Sequence, residues 1–340
     1  MSDWAHYDES DARVRPGRRG SRPRTKRRPA HDDAVDGVVV AVDRGRYTVL
    51  TDAGPTVMAV KAREVGRRGL VVGDVVHLVG DVSGAPDTLA RIVRRGERVS
   101  ALRRTADDTD PTERVVVANA DQLAIVAAVA DPEPNPRMID RALVAGFDAG
   151  LGAVLALTKA DLASADPMRA LYEPLGVTVI EVSVRRDGGP AADAGFARLQ
   201  QQLHGLKTVF VGPSGVGKST LVNALVPAAE RAVGRVNDVT GRGRHTSTSS
   251  VMVEVPTGGW IIDTPGVRSF GLAHVDPEHM LRAFPDVADY EEEHCPRGCQ
   301  HLSAADGCEL DSWAAESPER AIKLDSIRRL LASRLAGEAY

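Results

Sequence analysis

A glycine-rich segment followed by a lysine and a serine carries the clearest chemistry in the sequence. Gly212, Gly217, Lys218 and Ser219 fit the pattern G-x-x-x-x-G-K-[ST], between an apolar stretch and a helix-forming stretch. Glycine lets backbone N–H groups point at phosphates, the lysine adds a cation at the β- and γ-oxygens, and the serine hydroxyl is a ligand for Mg²⁺. The sequence therefore predicts a nucleoside triphosphate site formed by Gly212, Pro213, Ser214, Gly215, Val216, Gly217, Lys218, Ser219 and Thr220.

A second element, Asp263-Thr264-Pro265-Gly266, follows the apolar run that ends at Ile262. Phosphate-loop enzymes place an aspartate linked to Mg²⁺ at the end of such a strand. Asp263 is therefore predicted to hold the metal through water. The Gly266 N–H is predicted to contact the γ-phosphate, which would make the following segment sensitive to the nucleotide. A plain turn is the alternative interpretation, and the phosphate loop upstream favours the functional one.

A third motif predicts the choice of base. Thr158-Lys159-Ala160-Asp161 resembles the Asn-Lys-x-Asp motif of GTPases, with threonine in place of the usual asparagine that tethers the loop. A carboxylate at Asp161 accepts hydrogen bonds from N1–H and the 2-amino group of guanine, and adenine lacks this donor pair. Lys159 is expected to lay its aliphatic stem along the base, although a helix cap is the alternative for the isolated tetrapeptide. Together with a short loop that resembles the one contacting the guanine O6, the candidate residues are Thr158, Lys159, Ala160, Asp161, Ser183 and Val184.

The order of these motifs is informative. In Ras-like GTPases the base motif follows the phosphate loop, whereas here Asp161 precedes Gly212. Circular permutation explains the order, since it preserves the sheet and the site while moving the chain ends. The strand that leads to Asp263 then runs directly into the C-terminal region, where a nucleotide-driven shift can be transmitted.

Hydrolysis depends on how the attacking water is oriented. Ras-like enzymes use a glutamine directly after the D-x-x-G motif, and Val267 occupies that position, so slow intrinsic turnover with activation by a partner is expected. His245 is a candidate to position the water as a neutral imidazole, and contact with RNA or capping of a loop is the alternative. The candidate catalytic residues are His245, Lys218 and Gly266, and the candidate magnesium ligands are Ser219, Asp263 and either Thr246 or Thr248.

All three cysteines of the chain lie close to a histidine, in the order Cys295, Cys299, His301 and Cys308. Three thiolates and one imidazole form a closed tetrahedral zinc set, which is typical of structural sites. The sequence therefore predicts one structural Zn²⁺ per chain. His294 is a competing ligand, and buried free cysteines without metal are the alternative.

The chain has 340 residues, a length that predicts two or three domains. The elements that must position the residues named above fall into four regions, one of which is a tail. Five short β-like runs suggest a small barrel, of which the oligonucleotide-binding (OB) barrel is a common form. Strands that alternate with helical segments then indicate a mainly parallel α/β sheet. The last helix is predicted from Pro318 to about Leu335, with Ile322, Ile327, Leu330 and Leu331 on one apolar side. The predicted regions are a disordered basic tail (1–34), a five-stranded OB-like β-barrel (35–100), a circularly permuted α/β P-loop GTPase domain (101–271) and a helical zinc-binding module (272–340).

Composition and charge exclude several classes. The chain is 43% hydrophobic, and no run approaches the roughly 18 apolar residues of a membrane helix. The first thirty residues lack a signal-peptide core, and three cysteines cannot form a disulfide framework, so a cytoplasmic location without membrane association is expected. Nine arginines and lysines lie within residues 13–28, although the formal net charge is −4. This tail is expected to bind RNA, and a solubilising role is the alternative.

Tail, barrel, permuted motifs and Cys/His module together resemble the ribosome small subunit-dependent GTPase A family over essentially the whole chain. Residues 119–122 (Asn-Ala-Asp-Gln) and 241–248 also resemble patterns of that family, the latter its switch I region. The resemblance implies an assembly factor that binds the small ribosomal subunit and its ribosomal RNA late in maturation, hydrolyses GTP there and leaves. A monomer is expected. The alternatives are an RNA-binding protein in which GTP or GDP is mainly a structural or regulatory ligand, and an ATP-using kinase or ATPase, which Asp161 disfavours.

Overall fold

The computed structural model describes residues 31–66, 69–105, 113–184, 193–227, 250–264, 270, 272 and 275–335. Most of the predicted basic tail lies outside these ranges, as do His245, Thr246, Thr248 and Gly266. Residues 33–340 form one compact unit, and the following description concerns that unit.

Five N-terminal strands close into a barrel. The strands are β1 (Val35–Asp43), β2 (Arg46–Thr51), β3 (Thr56–Lys61), β4 (Val75–Gly80) and β5 (Ala90–Arg95). Their order around the barrel is β1-β2-β3-β5-β4 and back to β1, and every pair is antiparallel except β3 with β5. Side chains that point into the barrel are fully buried, for example Val39 of β1, Val49 of β2 and Leu78 of β4. The predicted OB-like barrel is confirmed. Successive side chains of a strand point to opposite faces, so the apolar residues determine which face turns inward.

In the part of the chain that the structure describes, the central α/β sheet has six strands and is flanked by four helices. The strands are β8 (Gln122–Ala128), β9 (Gly152–Thr158), β10 (Thr178–Val182), β11 (Lys207–Val211), β12 (Val251–Glu254) and β13 (Trp260–Asp263), and the helices are α1 (Pro136–Asp148), α2 (Asp166–Tyr172), α3 (Ala194–Leu203) and α4 (Lys218–Leu225). The strand order is β10-β9-β8-β11-β13-β12, parallel except for β12. All seven residues of β8 are buried, as expected for a strand covered on both faces.

Permutation is visible in the position of β11, the strand that leads into the phosphate loop. It lies at the centre of the sheet between β8 and β13. Strands β8, β9 and β10 precede it in the chain but lie together on one side of it, while β12 and β13 follow it and lie on the other.

The barrel and the α/β sheet are joined by strand pairing. Ala41 of β1 pairs with Val251 of β12, so the hydrogen-bonded sheet continues from one into the other. A separate hairpin of β6 (Ala101–Arg104) and β7 (Arg114–Ala118) touches the barrel through a bridge between Val72 and Val117.

Two sets of polar side-chain contacts lie near this joint. The Asp74 carboxylate has no exposed side-chain surface and accepts hydrogen bonds from Arg98 at 2.6 and 2.8 Å. The Asn119 amide donates to the Gly73 carbonyl at 2.8 Å and accepts from the Val99 N–H at 2.8 Å. Asn119 is the first residue of the 119–122 segment, which therefore occupies the joint between the barrel and β8.

The C-terminal module is helical and packs on α1. Its helices are α5 (Pro277–Leu281), α6 (Pro285–His294), α7 (Leu310–Ala314) and α8 (Pro318–Leu335). The predicted last helix is confirmed, but Ile322 is 52% exposed and its predicted place on the apolar side is wrong. Buried Leu324 and Ile327 define that side, and Ile322 lies two residues before Leu324, about 200° around the helix.

None of the helices in the described part of the chain combines the length and apolar character needed to cross a bilayer.

Gly73 offers a test of the joint. Its φ is +88°, and an added Cβ would lie 1.9 Å from the Ala118 carbonyl oxygen, whereas Gly45 has φ +85° with nothing within 4 Å. Gly45→Ala is expected to cost about 1–3 kcal/mol from backbone strain alone. Gly73→Ala is expected to cost above about 4 kcal/mol, because the hairpin must also move. Urea unfolding of both variants measures the difference, and equal losses would show that the hairpin yields freely.

Candidate nucleotide site and metal centre

The phosphate loop spans residues 212–217 between β11 and α4. An added Cβ at Gly212 would lie 2.4 Å from the Val126 carbonyl oxygen, so only glycine fits where the loop leaves the sheet. Gly215 and Gly217 have φ of +84° and +88°, a region that glycine adopts without strain. Gly217 is the N-cap of α4 and has no side chain to cap it. The N–H groups of the first turn therefore point into a loop suited to phosphate.

Lys218 and Asp263 meet beside this loop. The Lys218 Nζ donates to Asp263 Oδ1, and both side chains are partly buried. Asp263 ends β13, which pairs with β11 in register Phe210 to Asp263, and the Thr264 hydroxyl fixes the next residue by donating to the Phe210 carbonyl at 3.0 Å. Ser219 is exposed in the first turn of α4. A hydroxyl and a carboxylate are the oxygen donors that Mg²⁺ prefers.

Thr158 connects the base motif to the phosphate loop. It ends β9, is 6% exposed, and its hydroxyl donates to the Val216 carbonyl, with the Ala127 carbonyl farther away at 3.3 Å. A hydroxyl carries a single proton, so the shorter contact defines the bond. The threonine thus forms a loop-to-loop tether at the position where GTPases usually have asparagine.

Asp161 and Ser183 come together at the same edge of the sheet. The Ser183 hydroxyl donates to Asp161 Oδ1, and the Ser183 N–H donates to Asp193, the N-cap of α3. Ser183 and Val184 directly follow β10, so both predicted base loops leave neighbouring parallel strands. Lys159 has φ +55° and donates to the Asp131 carbonyl, and Ala160 lies between it and Asp161.

The structure therefore brings most of the predicted site residues together, whereas four of them lie outside the described residues. The phosphate loop, Lys218 and Asp263, and the base residues 158–161 and 183–184 occupy the carboxyl-end edge of β9, β10, β11 and β13, where α/β sheets bind ligands. The predicted roles of His245, Thr246, Thr248 and Gly266 fall outside the described residues and stay predictions.

The Cys/His cluster is assembled in the C-terminal module. The ligand atoms of Cys295, Cys299, His301 and Cys308 all lie within 4.8 Å of one another, and His301 Nδ1 is 3.8 Å from the Cys308 sulfur. Four ligands at the corners of a tetrahedron with metal–sulfur bonds of about 2.3 Å are separated by about 3.8 Å. The residues therefore fit a metal ion. His294 is not part of this group. Its ring is stacked on Tyr290, and its Nδ1 contacts the Tyr290 carbonyl at 2.9 Å.

Burial sets the protonation of the cluster in the absence of a cation. Burial, with the neighbouring thiols, raises the pKa of Cys295 to about 11 and also raises the pKa of Cys299. The pKa of His301 is lowered by burial, which favours the neutral imidazole that ligates metals. A bound cation would stabilise the thiolates and so lower the thiol pKa values that burial raises.

Two residues that sequence reasoning missed support the cluster. Glu291 Oε1 lies 3.6 Å from His301 Nε2, the ring nitrogen opposite the one that faces Cys308. Arg328 of α8 donates to the His301 carbonyl at 3.2 Å and binds Asp311 through two bonds of 2.8 and 2.6 Å. No local pattern marks either residue, since both contacts join His301 to positions farther away along the chain.

The fold and the site define a phosphate-loop nucleotide-binding protein of circularly permuted GTPase fold. Two solved structures share this fold. YjeQ from Thermotoga maritima matches with a TM-score of 0.64 and 22% identity, covering 89% of this chain and 99% of that one. YloQ, a circularly permuted GTPase by its own description, matches with a TM-score of 0.63 and 21% identity, covering 91% and 98%.

Sequence comparison identifies the family. The RsgA GTPase model matches residues 95–273, more than half of the chain. A Pseudomonas putida protein named small ribosomal subunit biogenesis GTPase RsgA is 40% identical over 231 residues, which span 66% of this chain and 65% of that protein, just under two thirds of its length. An Azotobacter vinelandii protein of the same name is 38% identical over 271 residues, or 78% and 75% of the two chains. The chain belongs to the RsgA GTPase family.

Thr158→Val tests the tether between the two loops. The substitution keeps the shape but leaves the Val216 carbonyl without its donor, and one hydrogen bond contributes about 1 kcal/mol. GDP affinity, measured by calorimetry, is expected to fall by about fivefold. Thr178→Val, in the neighbouring strand β10, is the matched control and should leave the affinity unchanged. An unaltered affinity in Thr158→Val would remove the tether from nucleotide binding.

Proposed function

We propose that this protein is a GTP hydrolase that binds the small ribosomal subunit and assists its late maturation, with hydrolysis stimulated by the subunit. The observation that carries the proposal is the bond from Thr158 to Val216, which links a guanine-type base loop to a phosphate loop in a chain of the RsgA GTPase family. The names of the Pseudomonas and Azotobacter relatives support the assignment to subunit biogenesis.

Binding is divided between the two loops. Asp161 accepts hydrogen bonds from guanine while the Ser183 hydroxyl holds its carboxylate. Lys218 and the N–H groups of residues 212–217 bind the phosphate oxygens, and Ser219 and Asp263 are the residues that hold Mg²⁺. Bound Mg²⁺ neutralises charge that develops on the phosphate oxygens.

Hydrolysis requires a group that orients the water. Val267 offers no polar atom for this role, so His245 positions the water as a neutral imidazole, and the Gly266 N–H binds the γ-phosphate. Either Thr246 or Thr248 completes the coordination of Mg²⁺. Because Val267 cannot orient the water, turnover is slow in the free protein and is activated by the subunit.

Basic surfaces provide the contacts to ribosomal RNA. Arg46 of β2 and Arg91 of β5 are exposed, and both are in register with Val60 of β3, so they share one outer face of the barrel. The basic tail of residues 1–34 adds positive charge that attracts phosphate backbones. We place the protein in the cytoplasm as a monomer without membrane association. Its regions are the barrel (35–100), the GTPase domain (101–271) and the zinc module (272–340), and the barrel, the tail and the zinc module contact the ribosomal RNA.

We assign zinc to the Cys/His cluster, one ion per chain with a structural role. Three cysteines and a neutral histidine are the donor set of closed zinc sites, and Glu291 stands where a carboxylate orients a ligating imidazole. No step of GTP hydrolysis involves this ion.

GTP hydrolysis by the full-length protein tests the proposal, measured alone and with small subunits, large subunits or free RNA of equal phosphate concentration. Stimulation of at least about tenfold by small subunits alone is expected, because a partner that completes a GTPase site lowers its barrier strongly. Equal, weak turnover in every case would contradict the proposal and favour an RNA-binding protein with nucleotide as a structural ligand. Competition by ATP as strong as by GDP would contradict guanine specificity.

The same assay tests His245. His245→Ala is expected to lower subunit-stimulated turnover by about a hundredfold, the usual contribution of a positioned general base, while GDP affinity is retained. His279→Ala, a change in an exposed histidine of α5, is the control. An unchanged stimulated rate would remove His245 from the mechanism.

Glu291→Ala tests the zinc assignment. Loss of the carboxylate that orients His301 is expected to weaken zinc affinity by about tenfold or more, measured by competition with a chromophoric chelator. Glu292→Ala changes an exposed neighbour on the same helix and should leave affinity unaltered. Purified protein without stoichiometric zinc, or equal affinities in the two variants, would contradict the assignment.

A further inference from the structure

The carboxylate of Asp193 is divided between two segments of the chain. Its Oδ1 accepts hydrogen bonds from the Gly195 N–H at 2.8 Å and the Phe196 N–H at 3.3 Å, which makes Asp193 the N-cap of α3. Its Oδ2 accepts from the N–H of Ser183, which directly follows β10. An N-cap needs one side-chain oxygen, as serine caps show. The second bond therefore holds the segment after β10 and is not required by the helix.

The start of α3 is fixed against β10. An added Cβ at Gly195 would lie 1.7 Å from the Glu181 carbonyl oxygen, so glycine is required where the helix begins. One residue later, buried Phe196 packs in the same core cluster as Ile180 of β10. Because the first turn of α3 is tightly packed, Asp193 is attached to a fixed point of the fold.

Ser183 connects Asp193 to the base motif. Its N–H is bound by Asp193, and its hydroxyl donates to Asp161 Oδ1. Strands β9 and β10 pair in parallel with Thr158 opposite Val182, so the two base loops leave the sheet side by side. A carboxylate oxygen has two acceptor sites, so the bond from Ser183 leaves Asp161 able to accept hydrogen bonds from guanine. A chain of direct contacts therefore runs from Asp193 through Ser183 to Asp161.

The orientation of Asp161 matters because its carboxylate must meet two donors of guanine together, N1–H and the 2-amino group. Asp161 is exposed, and an exposed side chain samples several rotamers. Ordering such a side chain on binding costs free energy, which is saved when the side chain is held in place beforehand. The bond from Ser183 provides this hold.

We propose that Asp193 is a positioning residue for guanine recognition. It holds Ser183 in place, and the Ser183 hydroxyl aligns the Asp161 carboxylate with N1–H and the 2-amino group of the base. The inference rests on guanine binding as set out in the proposed function. It does not depend on stimulation by the subunit.

Calorimetry of the full-length protein with Mg²⁺ and either GDP or inosine diphosphate tests the proposal. Inosine keeps N1–H but lacks the 2-amino group, so the ratio of the two affinities reports on one hydrogen bond to Asp161. The wild-type protein is expected to bind GDP at least about tenfold more tightly, because hydrogen bonds to charged groups are the stronger ones. In Asp193→Asn the preference should fall below about threefold, because the amide retains an oxygen for the cap but offers the Ser183 N–H a donor in place of an acceptor.

Asp276→Asn is the matched control. Asp276 is the N-cap of α5 and accepts from the Glu278 N–H at 3.0 Å, so the same substitution changes a helix cap in the C-terminal module. This variant should keep the wild-type preference for GDP.

Ser183→Ala tests the route from Asp193 to Asp161. Residues of one hydrogen-bond network have non-additive effects, so adding Asp193→Asn to Ser183→Ala should change the preference by less than about twofold. Additive losses would overturn the proposal, because they would show that Asp193 does not act through the Ser183 hydroxyl.

A merely structural Asp193 would give a different result. Asp193→Asn would then weaken GDP and inosine diphosphate equally and leave the preference intact, which would overturn the proposal. A wild-type protein without preference for GDP over inosine diphosphate would overturn it as well. Failure of the proposed function appears separately, as the lack of GDP binding, competition by ATP as strong as by GDP, or the lack of subunit stimulation.

Discussion

The parallel alignment of β9, β10 and β11 is the constraint on which the site depends. Because parallel strands end on the same edge, loops distant in sequence meet there, and the bond from the Thr158 hydroxyl to the Val216 carbonyl joins them. Chain order has no part in this geometry. Moving the termini therefore preserves the nucleotide site, and what changes is which element follows the D-x-x-G segment. In this chain that element is the C-terminal module.

The C-terminal module shares a core with the α/β sheet. Phe284, Trp313 and Leu330 belong to the same buried cluster as Ile125 of β8 and Leu143 of α1. A segment this small buries too little apolar surface to be stable alone. It gains more from packing on α1, and a metal ion held by the Cys/His cluster would add to this. Asp140 of α1 accepts a hydrogen bond from Arg329 of α8 at 3.1 Å. Burial raises the pKa of Asp140 despite this cation, so the contact between the two helices is paired but desolvated. Such pairs specify one docking geometry more than they add stability.

The sequence predicted most of the fold because its signals are local. Alternating apolar residues placed the barrel strands, and short apolar runs placed the central strands of the sheet. The β6–β7 hairpin and the β1–β12 pairing escaped prediction, since they depend on contacts across the chain rather than on periodicity. The same reason applies to Glu291 and Arg328, whose contacts with His301 exist only once α6, α8 and the Cys/His cluster are assembled. The prediction for Ile322 was wrong because the apolar character of one residue does not tell which face of the helix packs on the core.

The pairing of β1 with β12 protects an edge of the molecule. An exposed outer strand offers a row of free N–H and C=O groups to any other strand, and such edges promote aggregation. Here β12 has β13 on one side and, at Val251, Ala41 of β1 on the other, so the barrel covers the start of what would otherwise be an open border of the α/β sheet. Separating the barrel from the α/β sheet by cutting the chain would therefore not give two independently stable domains. It would expose the edge of β12 to pairing with other strands, so the barrel also protects the α/β sheet against aggregation.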